Sequence, residues 1–152
     1  LFVAGFMGSP QMNFIDCDVE QKGDQCVLHF VGRQVTLQKE RSKKLIDGGY
    51  VGKKIVLGIR PEDIKDEEVV IKALPDSTFN AEVRVYELLG AEVFLYFTLT
   101  DENNKKDLNN SVDITARVNP RTTARVGSKI DIAFDLSKIH LFDKETEAII
   151  CH

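Results

Sequence analysis

Three histidines (His29, His140, His152) and three cysteines (Cys17, Cys26, Cys151) are the side chains best equipped to hold a metal or act as nucleophiles. Their spacing supports neither role. The histidines share no metal-like spacing with one another or with the cysteines. No cysteine pair forms a CxxC, and none sits in a recognisable reactive setting. An odd number of unpaired thiols is the pattern of free cysteines in a reducing compartment. His140, between Ile139 and Leu141, reads as the outward residue of a strand. Phosphate chemistry would need GxxxxGK[ST] or a GxGxxG after a strand, and acyl transfer a GxSxG elbow; none is present. The run Asp66-Glu67-Glu68 reads as a solvated acidic turn. The inventory argues against a stand-alone enzyme.

The stretch with the most organised chemistry is Val56-Leu57-Gly58-Ile59-Arg60-Pro61-Glu62-Asp63-Ile64. It is an apolar strand stopped by a polar turn. Pro61 lacks an N–H and drives Arg60 out of helical space, so the strand ends or meets an edge here. Glu62 and Asp63 suit the first turn of a short helix opened by Pro61, where carboxylates meet free N–H groups. Arg60 could pin that turn through a bidentate contact with a carboxylate.

The elements that must position this corner are strands. Met12 to Val19 is extended, Cys26–Val31 is β-branched and aromatic, and Gln34–Gln38 alternates, with turns at 21–25 and 32–33. Residues 39–47 read as a short surface helix ended by Gly48-Gly49. Val69–Ala73 reads as a further strand, stopped at Pro75. Phe79, Ala81, Val83 and Val85 alternate with polar residues, and Leu89-Gly90-Ala91-Glu92 turns the chain into Val93–Leu99. Odd-numbered positions of this hairpin are expected to face one core. Residues 101–111 form a polar loop, and Asn109-Asn110-Ser111 within it fits the glycosylation sequon. Period two returns at 112–118 and 130–136, with short strands at 139–142 and 148–150. About ten short strands with turns between them predict an all-β domain of barrel type with one or two small surface helices. Ahead of them, Phe2, Val3, Phe6 and Met7 share one helical face and Gly8-Ser9-Pro10 is a stop signal, which predicts a short N-terminal helix.

With 152 residues, 43% hydrophobic and 29% charged, the chain has the composition of a globular domain able to bury a core. A net charge of −4 disfavours nucleic acid and anionic membrane as partners. Phe94, Tyr96 and Phe97 could stack bases, and Lys43-Lys44 and Lys53-Lys54 could meet phosphates. Acidic residues are interleaved throughout, however, and Phe97 falls at a core position, so nucleic-acid binding is not expected. No apolar run is long enough to cross a bilayer.

These segments carry a family resemblance. Phe2-Val3-Ala4-Gly5-Phe6-Met7-Gly8-Ser9-Pro10-Gln11-Met12-Asn13-Phe14 resembles the junction in sugar-importer ABC ATPase subunits where the nucleotide-binding domain hands over to a C-terminal regulatory domain. Leu57–Ile64 resembles that domain's central motif, Val85-Tyr86-Glu87-Leu88-Leu89-Gly90 with Glu92 its glutamate-leucine-glycine hairpin, and Gly127 with His140-Leu141-Phe142-Asp143 and Thr146 its ending. The resemblance spans the chain in the right order. It implies a transport-associated OB-like domain of a maltose- or multiple-sugar-type importer, with residues 1–10 the tail of a linker helix and 11–152 the regulatory β domain. It further implies a non-catalytic, dimerising role on the cytoplasmic side of the membrane. ATP and magnesium would be bound by the parent's nucleotide-binding domain and not by this chain. Implied partners are a second copy, that domain, the permease subunits and, in some members, a signalling protein or transcription regulator. The interaction candidates are Phe14, Gly58, Arg60, Pro61, Glu62, Glu87, Gly90, His140 and Phe142. Related domains in oxyanion importers bind molybdate-like anions, so a small-ligand (oxyanion or sugar) module is the alternative.

Overall fold

The computed structural model describes residues 11–101 and 111–152. The helical turn expected within residues 1–10 lies outside the described residues, as does most of the polar loop with Asn109 and Asn110 of its sequon. Described strands pair antiparallel throughout, in two curled sheets. The first contains β1 (Asn13–Lys22), β2 (Gln25–Phe30), β3 (Arg33–Thr36), β4 (Lys54–Ile59), β10 (His140–Asp143) and β11 (Ile149–Cys151), in the order β11-β10-β4-β1-β2-β3. The second contains β5 (Ile64–Lys65), β6 (Thr78–Leu89), β7 (Glu92–Thr100), β8 (Ser111–Val118) and β9 (Lys129–Phe134), in the order β5-β9-β6-β7-β8. Its outer strands β5 and β8 also touch, so this sheet curls back on itself.

Period-two patterning decides which side chains enter the core. In β1, Ile15, Cys17 and Val19 point inward and Phe14, Asp16, Asp18 and Glu20 outward. Ile55, Leu57 and Ile59 of β4, and Val93, Leu95, Phe97 and Leu99 of β7, complete one continuous cluster spanning both sheets. Helix α1 (Lys39–Asp47) covers part of it with Leu45. Ser42, also fully buried there, accepts a 2.7 Å hydrogen bond from the Cys26 amide.

Two expectations fail locally. Val69–Ala73, read as a strand, is helix α2 (Glu68–Ala73). β5 pairs with β9 only at Ala133 and Phe134, and this β-branched run packs beside β9 without pairing to it. It coils instead over an i,i+4 ion pair, Glu68–Lys72 at 3.0 Å, and leaves Val69 81% exposed. The odd-inward rule for the hairpin also breaks. The pairing of β6 with β7 shifts between Val83 and Val85, so Tyr86 and Leu88 take the side that Ala81 and Val83 occupied. Val85 and Leu89 are thereby turned to the opposite face and stand 45% and 46% exposed.

One buried side chain ties the sheets together. Asn13 points inward at the head of β1, in the register of Ile15 and Cys17, and is 4% exposed. Its amide nitrogen donates to the carbonyls of Ile59 (3.1 Å) and Thr115 (2.9 Å), and its oxygen accepts from the Thr115 amide at 2.8 Å. The carboxamide thus pairs with Thr115 of β8 as another strand's peptide group would. A second tie is the β2–β3 turn, Val31-Gly32, where both residues have positive φ. Arg33 spans it, donating to the carbonyls of Val31 (2.9 Å) and of Thr100 at the end of β7 (2.7 Å). Replacing Asn13 by leucine keeps the volume and strands two carbonyls and an amide in a dry site. Asn13→Leu is expected to lower the unfolding free energy by about 3 kcal/mol, read from urea denaturation; a loss under about 1 kcal/mol would show that the clasp is dispensable.

Candidate functional site

The sequence candidates fall into two groups on either side of Pro61. The first lies on the outer face of the first sheet, where β1, β4 and β10 run side by side. Phe14 and His140 both stand opposite Gly58, from neighbouring strands, and Phe142 stands opposite Val56. The Phe14 and Phe142 rings meet edge to face at 6.0 Å. Gly58 is required by that contact. A Cβ there would lie 2.7 Å from the Met12 sulfur and 2.9 Å from Cε2 of Phe142, closer than side-chain carbons approach. The result is an apolar saddle of Met12, Phe14 and Phe142 over a bare stretch of backbone.

Arg60 and His140 border this saddle. Arg60 is exposed, and among the described residues it makes no ion pair; the bidentate staple expected from Arg60 to a neighbouring carboxylate does not form. The corner is held by backbone instead, with the Asp63 amide donating to Arg60 O and the Asp135 amide to Asp63 O, both at 2.9 Å. Pro61 is buried, and the short 3-10 turn Pro61–Asp63 packs along β8, covering the strand edge that Asn13 reaches at Thr115. Burial raises the Asp63 carboxyl above its usual range, with the neighbouring Glu62 charge adding to it.

The second group gathers around the hairpin turn. Glu62 lines a cavity of about 300 Å³ with Ala91, Glu92 and Arg117. Gly90, at φ +62°, is the first central residue of the two-residue β6–β7 loop, the place where a type II′ turn demands glycine. Glu87 lies on the outer face of the hairpin and accepts from the Tyr96 hydroxyl. Burial and that carboxylate together push the Tyr96 phenol up to about 12. Sequence reasoning missed the clasp made by Asn13 and the place of Met12 in the saddle, and read Tyr96 only as a residue able to stack bases. Asn13 had a readable signal, an amide in the inward register of an apolar strand; Met12 and Tyr96 had none.

His140 is the titratable group here whose surroundings matter most. Its Nδ1 sits 3.2 Å from Nδ1 of His152, so one ring donates and the other accepts, while its Nε2 is buried without a partner among the described residues. Burial first, then the Arg60, His152 and Arg41 charges, hold its pKa below the ordinary 6.5 against an opposing pull from Asp63. The folded state therefore prefers neutral His140. Its contribution is complete above the unfolded value of about 6.5 and is lost as the pH falls through the lower, folded value. The urea midpoint of the native chain is expected to drop more steeply than that of His140→Gln between about pH 7 and pH 5; parallel profiles would refute this.

Comparison with known proteins divides the chain just after the Pro61 corner. A family model described as the MalK OB fold domain matches residues 8–64, and one described as the TOBE domain matches residues 75–141. The oligosaccharides import ATP-binding protein MsmX of Bacillus subtilis is 35% identical over 99% of this chain, and the multiple sugar-binding transport ATP-binding protein MsmK of Streptococcus mutans 38% over 98%. The trehalose/maltose import ATP-binding protein MalK of Thermococcus litoralis is 33% identical over 95%. The chain spans 37%, 36% and 36% of their respective lengths. The molybdate-bound crystal structure of the cytoplasmic molybdate-binding protein ModG superposes with a TM-score of 0.57 at 11% identity, over 85% of this chain and 94% of ModG, a likeness of fold alone. No helix among the described residues is long and apolar enough to cross a membrane. With an OB domain and a TOBE domain in succession and relatives aligned over nearly its whole length, the chain belongs to the C-terminal OB/TOBE family of sugar ABC importer ATP-binding proteins, the non-catalytic portion of those proteins.

Proposed function

We propose that this chain is the regulatory and pairing module of an ATP-binding subunit that drives carbohydrate import. It associates with a second copy of itself and modulates transport without binding ATP or magnesium. The observation that carries this reading is the joining of the OB and TOBE parts into one body. Asn13 and the Pro61 corner lock the two sheets, so a contact made on one is felt by the other. A rigid two-part body suits a domain that holds a partner in register while an attached catalytic domain moves. In this reading the Met12–Phe14–Phe142 saddle, next to the N-terminal end of the described chain, faces the nucleotide-binding domain. The module lies at the cytoplasmic face of the membrane beside the permease subunits, and its outer surfaces serve any signalling protein or transcription regulator that gates uptake.

The alternative, oxyanion or sugar binding, has behind it a fold likeness and a cavity of about 620 Å³ where Arg33, Arg84 and Lys129 face Glu82 and Asp101. The cavity beside α2, about 500 Å³, is lined by Asp66, Glu67, Glu68 and Asp131 against a single arginine, Arg121. Four carboxylates repel an oxyanion. Sedimentation velocity across a concentration series separates the readings. A reversible monomer–dimer equilibrium reaching mostly dimer at high micromolar concentration is expected, with no calorimetric heat on adding molybdate, maltose or Mg-ATP. A strictly monomeric profile accompanied by saturable molybdate heat would overturn the proposal in favour of the ligand module.

A further inference from the structure

We infer that the second copy is held at the open edge of β6, through antiparallel pairing of Tyr86–Leu88 with the same segment of the partner subunit. This rests on the pairing proposed above and names its contact surface. The N-terminal part of β6 is covered by β9, from Thr78 to Glu82, and the cover ends where the Val83 amide donates to Ser128 O and the Gly127 amide to Val83 O. From there to the hairpin turn, among the described residues, β6 pairs with a strand on the β7 side only. Leu89 and Glu92 flank a two-residue turn and so form a hydrogen-bonded pair; alternation makes Glu87–Phe94 and Val85–Tyr96 hydrogen-bonded as well. The N–H and C=O groups of Tyr86 and Leu88 then point away from β7, to the open side.

Edge strands of monomers are ordinarily guarded by charge, proline or brevity. This edge carries Arg84 and Glu87, and Arg125 stands over the Tyr86 ring at 5.0 Å from its centroid, yet most of its exposed side chains are apolar. Val85, Leu88 and Leu89 are 45%, 59% and 46% exposed, and Val126, next to the segment where β9's cover ends, is 64% exposed. The edge also complements itself. A two-fold axis through Glu87 sets Tyr86 opposite the partner's Leu88 and Leu88 opposite the partner's Tyr86. The four outward backbone groups of each copy then find partners in hydrogen-bonded pairs. On the other face Val85 meets the partner's Leu89, so exposed apolar residues cover one another in both directions. Arg84 arrives beside the partner's Gly90–Ala91 turn, where the partner's Glu92 supplies the opposite charge. The one unfavourable pair is Glu87 against the partner's Glu87. Each is relieved by lying over its own sheet against the Tyr96 hydroxyl. Three residues of edge bury far less than the roughly 1,200 Å² of a stable specific interface, so the contact by itself is weak and reversible.

Register makes this testable. Residues facing each other across the axis as a non-hydrogen-bonded pair have Cα atoms about 4.5 Å apart, within disulfide reach. The native thiols Cys17, Cys26 and Cys151 are all buried and do not compete. At a concentration where sedimentation shows dimer, Glu87→Cys is expected to cross-link on mild oxidation and Val85→Cys, well off the axis, is not. In a cysteine-independent arm, Leu88→Asp is expected to weaken dimerisation at least tenfold with its melting temperature unchanged. A dimer that forms with native affinity in Leu88→Asp and fails to cross-link through Glu87→Cys overturns the β6 edge and leaves the paired regulatory module standing. A wild-type chain that neither sediments as a dimer nor cross-links through Glu87→Cys overturns both.

Discussion

The Asn13 carboxamide is the contact on which the rest of the molecule depends. Two curled sheets could each bury their own concave face and remain separate bodies. Here a shared apolar core joins them, and Asn13 fixes how they dock by placing three hydrogen bonds where water cannot substitute for them. It bonds at once to Ile59, the last residue of β4, and to Thr115 in β8. A buried polar group of this kind is valuable as a constraint more than as a source of stability. Each of its bonds contributes about 1 kcal/mol net, whereas any other docking of the sheets leaves several polar groups unpaired at a greater cost.

The Pro61 corner continues the same logic. The chain leaves β4 immediately beside Asn13's contact with Ile59, turns through Pro61–Asp63, and lies along β8 before entering β5. The central motif of the sequence thus serves as a cover for a strand edge, with Pro61 buried and Arg60 left outside. On the opposite flank, the Val31-Gly32 turn sets a β-branched residue at φ 42°, a conformation that costs energy and is held by the Arg33 contacts to the second sheet. Both connections between the sheets are therefore made by polar groups reaching backbone carbonyls, while the apolar core fills the space between.

Much of this was legible in the sequence because period two is a direct consequence of pleated geometry. Residues 93–99 and 112–118 announce their faces without help, and Gly90 before Ala91 marks the hairpin turn. The illegible parts share one cause, which is competition settled by tertiary structure. Val69-Val70-Ile71 has the composition of a strand and becomes a helix packed beside β9, held by the Glu68–Lys72 pair. The shift at Val83–Val85 reverses the faces of β6 beyond it while β7 keeps its register, and nothing in an alternating run marks a bulge. Arg60 reads as a staple because a guanidinium and two carboxylates lie within three residues, yet backbone bonds had already fixed the turn. The convergence of Phe14, Gly58, His140 and Phe142 on one face came from three strands far apart in sequence, and only the family resemblance pointed to those residues together.

The claim at the centre of this account is that the OB and TOBE parts behave as one cooperative body. Native-state hydrogen exchange at the Thr115 amide, read across a low urea series, tests it most directly. If Asn13 locks the sheets, this amide exchanges only through global unfolding and its opening free energy converges with those of Leu57 in one sheet and Leu95 in the other. A Thr115 amide that opens several kcal/mol below them, with Leu57 and Leu95 still protected, would mean that the two sheets part before they unfold.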